Sequence, residues 1–312
     1  MTDTASPSPA APLARTRPFS WSVRRELWES RAVYLAPLAV AGVVLLGFLF
    51  SLHNVAHAAH VLAGPAPGPD TPHAEGARYT RESFVLLAPQ FTPAAILVTA
   101  LIVAVFYSLG SLHNERRDRS VLFWKSLPVS DRTTVLSKVF VPLAILPVVV
   151  FVVMLATQAI MLGLSSAMIA AGGENPAVLW SHMPTPAAMV VGLGYGLVIL
   201  SLWYAPIVGW LMLVSVWAKR MTFLWAVAPP FVICLFELIA FRTHYAWTLL
   251  HSRLVDGLAA FTVDGKGRSP IHDVSQIDPM VFLADPALWS GLVFAAAAFA
   301  ACVWLRRRSD PI

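Results

Sequence analysis

Three groups of residues have types and spacings that bear on chemistry. The densest is His113-Asn114-Glu115-Arg116-Arg117-Asp118-Arg119-Ser120-Val121-Leu122-Phe123-Trp124-Lys125-Ser126-Leu127-Pro128-Val129-Ser130, a charged segment between two long apolar runs. Glu115 and Arg119 stand at i, i+4 and, with Arg116, predict a solvated helical face. Val121, Leu122, Phe123 and Trp124 then form an apolar patch too short to span lipid. Charge followed by free aromatics suits docking to a protein partner, or a dip into the lipid interface, and both readings stand. The second group is His53, His57 and His60 on one helical face, with His73 downstream; imidazoles so spaced are ligand types for zinc or copper. No acid or cysteine completes the set, which favours solvated interfacial residues, and no metal site is predicted. The third is Glu237, the one acid inside an otherwise apolar run. An ionised carboxylate there costs at least about 2.5 kcal/mol on insertion scales. It is therefore protonated, paired with Arg242, or part of a polar translocation path.

The elements that must carry these groups follow from composition. Hydrophobic residues make up 57% of the chain and charged ones 12%, and mean hydropathy is +0.69, which is membrane composition. A bilayer core about 30 Å thick needs roughly 20 apolar residues at about 1.5 Å each. Six runs qualify: 34–52, 91–112, 139–171, 187–217, 222–241 and 287–305. The third and fourth exceed the thickness, so tilt, projection, or kinks at Pro142, Pro147 and Pro206 must absorb the excess. The predicted fold is all-α, a polytopic membrane protein with six transmembrane helices in one domain over 18–312, after a disordered tail at 1–17. No cleavable secretion signal is evident in the first twenty residues. Cys234 and Cys302 lie inside the fifth and sixth runs and read as small packing residues.

Orientation follows from the cations, which are retained on the cytoplasmic side. Arg15, Arg17, Arg24, Arg25 and Arg31 precede the first run, and Arg116, Arg117, Arg119, Lys125, Arg132 and Lys138 separate the second from the third. Lys219 and Arg220 follow the fourth, and Arg306, Arg307 and Arg308 the sixth, so both termini are predicted cytoplasmic. The net charge of +5 then faces anionic headgroups of the lipid bilayer and needs no nucleic acid. Over 18–33, Phe19, Val23 and Leu27 recur at i, i+4, i+8 among Trp21, Trp28 and several arginines, a pattern that favours an amphipathic surface helix over a plain extension of the first span.

Pro128 biases Leu127 away from helical dihedrals, while Ser130-Asp131 supplies an N-cap and first-turn acid for a helix running through Lys138 into the third span. Helix, corner, helix is the expected course. Glu-Arg-Arg-Asp-Arg-Ser-Val-Leu-Phe-Trp-Lys-Ser-Leu-Pro-Val-Ser, with Ser137-Lys138 downstream, resembles the loop between the second and third spans of type-2 ATP-binding-cassette (ABC) permeases. The resemblance is distinctive over these roughly twenty residues and matches elsewhere by layout. It implies an N-terminal elbow helix, a cytoplasmic coupling helix, and contact with a separate ABC ATPase subunit through Glu115, Arg116, Arg119, Phe123, Trp124, Leu127, Pro128 and Val129. It implies a transporter subunit, an exporter, that is not itself an enzyme, holds no cofactor and leaves ATP to the partner subunit. A second permease copy or homologous permease, and a place in the bacterial cytoplasmic (inner) membrane, complete what it implies.

The motifs that are missing agree with that division of labour. Gly265-Lys266-Gly267-Arg268-Ser269 lacks the spacing and preceding strand of a phosphate-binding loop, and Gly192-Leu193-Gly194-Tyr195-Gly196 sits inside an apolar run with no βαβ unit, where small residues let helices approach closely. Trp247, Leu250, Leu254, Leu258 and Phe261 form a helical stripe before the Asp264-Gly265 turn, predicting an amphipathic or re-entrant helix, or one lying on the outer leaflet. Two other classes remain: an intramembrane enzyme using Glu237 and histidines, though no His-Glu-x-x-His occurs, and a sensor or assembly protein without transport.

Overall fold

The structure, a computed structural model, describes residues 18–63, 74–118, 130–173, 175–180, 184–261 and 273–308. No strand occurs among the described residues. Among the described residues six helices are long and apolar enough to cross a membrane: Ala32–Leu52, Pro93–Arg117, Asp131–Ala171, Pro186–Trp217, Thr222–Phe241 and Pro286–Arg308. They match the six runs in the sequence and identify a multi-pass membrane protein. The predicted tail at 1–17 lies outside the described residues, as do His73 and the side chains of His53, His57 and His60.

The N-terminal helix Pro18–Glu29 is a separate element, broken from the first span at Ser30 and Arg31, and it packs along the start of the third span. The third span begins earlier than hydropathy suggests. Ser130 caps it by accepting the Thr133 amide at 3.2 Å, and helix Asp131–Phe140 continues through a wide π-turn at Val141–Ile145 into Leu146–Ala171. Pro142 falls inside that turn, where its missing N–H breaks the regular i to i−4 ladder. Gly173 ends the run in the left-handed region, φ +84°, which a side chain would disfavour.

The fourth span is the central post of the bundle. Its side chains from Ala188 to Val216 are mostly buried against the second, third and sixth spans. Gly209 permits the tight crossing with the sixth: a Cβ there would stand 3.1 Å from the Ala298 Cβ. The fifth span is peripheral and almost wholly exposed. A helix at Tyr245–Val255 and a 3₁₀ turn at Asp256–Phe261 follow it and return the chain to the bundle. Of the expected stripe Trp247, Leu254 and Leu258 are exposed, as in a helix lying on a leaflet, while Phe261 turns inward together with Arg253 and Gly257. Apolar side chains facing outward are ordinary for a segment that can meet lipid, so periodicity alone did not identify the core face. Gly196 likewise seats the Phe261 ring rather than another span.

Candidate functional site

Burial concentrates charge at one end of the bundle. Glu26, Glu115, Lys138 and Arg306 are each at least nine-tenths buried, and come respectively from the N-terminal helix, the short helix His113–Arg117, the start of the third span and the last turn of the sixth. Lys138 Nζ donates to Glu26 Oε1 at 2.8 Å and lies 3.1 Å from Glu115 Oε1. Arg306 Nη1 donates to Glu115 Oε2 at 2.6 Å, and its Nε to Asp131 Oδ1 at 3.1 Å. Arg25 closes the rim, reaching Glu115 at 2.9 Å and Glu29 at 2.9 Å. Tyr107, from the second span, donates its hydroxyl to Glu26 Oε2 at 3.1 Å. The four most buried charges balance as two acids and two bases, which is the condition for holding them out of water.

Backbone polar groups are matched beside this ionic hub. The helix break at Leu112 exposes two amides, and Ser215 Oγ of the fourth span accepts both, from Leu112 at 3.1 Å and His113 at 2.9 Å. Arg116 donates to the Val216 carbonyl, and His113 Nδ1 lies 3.1 Å from the Ala218 carbonyl oxygen. His113–Arg117 is therefore nailed to the end of the central post. Satisfying these groups removes a penalty of about 1–3 kcal/mol for each that would otherwise be buried alone.

Glu115 and Arg116 were expected on a solvated face, and the structure corrects this. Both are buried, because residues on other helices, Arg25, Lys138 and Arg306 for Glu115 and the Val216 carbonyl for Arg116, close over them, contacts invisible to i, i+4 reasoning. Arg119, Phe123, Trp124, Leu127, Pro128 and Val129 lie outside the described residues. Glu237 is not paired with Arg242. Its Oε1 accepts from Thr243 Oγ1 at 2.6 Å and the Tyr245 amide at 2.8 Å, and its Oε2 from the Ala246 amide at 2.6 Å. It caps the helix Tyr245–Val255 from one turn inside the preceding span, while Arg242 ends that span in the left-handed region at φ 52°. A carboxylate so near a span's end, at a helix N-terminus, avoids most of the midplane cost.

Sequence reasoning gave Lys138 and Arg306 no role in a buried ion pair and passed over Glu26 and Tyr107. One signal was present: Glu26 stands three residues after Val23 and seven after Phe19, inside the apolar stripe of its own helix. An acid on the buried face needs a partner. No family model, curated protein or solved structure matches the chain.

Proposed function

We propose that the chain is the membrane-spanning permease subunit of an ABC transporter, an exporter, in which a separate ATPase subunit works on the segment 119–129. The observation that carries this reading is the anchoring of that segment at both ends. Glu115 and Arg116 precede it and are held by the sixth, third and fourth spans, while Asp131 and Lys138 follow it and are held by Arg306, Glu26 and Glu115. A push on such a segment reaches four spans and the N-terminal helix together. The hub is rigid because its charges are buried and mutually paired, so displacement passes through it rather than being absorbed.

In this reading the hub end is cytoplasmic, both termini are on that side, and the membrane is the bacterial inner membrane. The N-terminal helix acts as the elbow, and Phe123, Trp124 and Leu127 are the contact residues toward the ATPase. The permease works beside a second copy or a homologous permease, and ATP is bound by the partner subunits. Co-expression with candidate ATP-binding subunits and copurification test this directly. Phe123→Ala with Trp124→Ala should reduce capture of the ATPase at least tenfold, since anchors of this kind contribute about 2 kcal/mol each. Unchanged capture and unchanged ATP-driven transport in that variant would refute the coupling role.

A further inference from the structure

The end of the bundle away from the hub holds a cation with too few acceptors. Arg253, Gly257 and Phe261 recur at i, i+4, i+8 and turn toward the bundle, and three glycines shape the seat. A Cβ on Gly257 would lie 2.7 Å from Trp203 Cδ1, one on Gly196 2.3 Å from the Phe261 ring, and one on Gly291 2.7 Å from both terminal nitrogens of Arg253. Seated there, the Arg253 guanidinium carbon is 4.7 Å from the centroid of the Trp203 ring, close enough for cation–π attraction. Its Nη2 donates to the Ala287 carbonyl and lies 3.5 Å from Ser290 Oγ. Its Nη1 is buried with no acceptor among the described residues, and so is Trp203 Nε1, on a side chain whose residue is 3% exposed.

Position makes the shortage sharper. From Arg306 in the hub to Gly291 is about 22 Å along the sixth span at about 1.5 Å per residue, so the guanidinium lies just inside the far edge of an apolar layer about 30 Å thick. It sits against the first turn of the sixth-span helix, the positive end of that helix dipole. Asp285 lies near enough to favour the charged guanidinium, but its carboxylate accepts the Ala287 amide at 2.8 Å and forms no direct ion pair with Arg253 among the described residues. A full cation, a helix N-terminus and two spare donors meet where water is scarce. Trp247, Leu254 and Leu258, on the exposed side of the same segment, offer apolar surface beside it.

We propose that Arg253 and Trp203 receive the anionic head of an amphiphile, a phosphate or carboxylate on a hydrocarbon chain, drawn from the leaflet away from the hub. The head accepts from Nη1 and Nε1, and the chain lies along the exposed apolar side chains of 245–261. This assignment is independent of any driving ATPase.

The test uses the full chain in phosphatidylcholine nanodiscs, with phosphatidylglycerol added in one series and inorganic phosphate at equal phosphate concentration in another. Native mass spectrometry counts bound anionic lipid, and thermal melting reads stabilisation. Phosphatidylglycerol near one hundred times its Kd should raise the melting temperature by roughly 5 °C, with inorganic phosphate silent. Arg253→Gln and Gly291→Ala should abolish the response, the latter by evicting the guanidinium while leaving its charge. Trp203→Phe keeps a smaller aromatic face under Arg253 and removes the indole donor, so the folded variant should bind about tenfold more weakly or worse. Retained lipid response in Arg253→Gln and Trp203→Phe overturns the proposal, as does an equal response to inorganic phosphate or no response in the wild type.

Discussion

Lys138→Met is the sharpest probe of the hub, because it removes one charge and keeps the length and apolar stem of the side chain. Lys138 is 1% exposed and its ammonium serves two carboxylates, Glu26 at 2.8 Å and Glu115 at 3.1 Å. Without it Glu115 keeps Arg25 and Arg306, but Glu26 loses its shortest ion pair and retains the Tyr107 hydroxyl and a 3.4 Å contact with Arg25. Removing one partner of a buried ion pair costs about 3–5 kcal/mol, most of it from the orphaned charge. On a chain of this size that lowers the melting temperature by roughly 6 °C or more. Thiol-reactive dye in detergent micelles reads the transition in a Cys234→Ser background, since Cys302 is fully buried and becomes reactive on unfolding, whereas Cys234 is only half-buried. Glu26→Gln removes the opposite charge, so the double variant should be more stable than the sum of the singles predicts by at least about 1 kcal/mol. A Lys138→Met protein that melts with the wild type, or strict additivity in the double variant, would refute the claim that these charges form one buried unit.

Glu237→Ala should lower the melting temperature through loss of a helix cap, whereas Arg242→Gln should be neutral and additive with it; coupling between the two in thermal melts would restore the ion-pair reading. Ser215→Ala should cost about 1–3 kcal/mol by stranding the Leu112 and His113 amides, checked by the same melts. For topology, an impermeant thiol reagent applied to intact cells should label a cysteine placed at Glu75 and spare one at Arg119, and the reverse pattern would invert the orientation.

The six spans were legible because each is a run of apolar residues as long as the bilayer requires, a property that needs no knowledge of partners. The start of the third span at Asp131 was legible for a different reason, the Ser130 cap and the constraint of Pro128. The hub was not legible. Its contacts join residues far apart in sequence, such as Arg25 with Glu115 and Glu115 with Arg306, which local spacing does not reveal. The segment 245–261 shows the complementary difficulty. In water an apolar stripe points to the core, but in a chain whose surroundings are themselves apolar it points to lipid as readily, and the inward face carries Arg253 and Gly257 with only Phe261 from the stripe.

Stability alone is a poor reason for the hub to exist. Apolar side chains of similar volume would fill the same space at no loss, and often with a gain, because charges must be stripped of water before they pair. Ion pairs differ from apolar packing in that they are directional and count their partners: Glu115 is satisfied only when the third and sixth spans stand in one register against the N-terminal helix. Slipping any of them by one turn, about 5.4 Å, would strand a buried charge. The arrangement therefore fixes relative position, and it does so at the two roots of the 119–129 segment while leaving the fifth span almost uncommitted to the bundle. A rigid end and a loosely attached span are what a protein needs if force enters at one surface and packing changes at another.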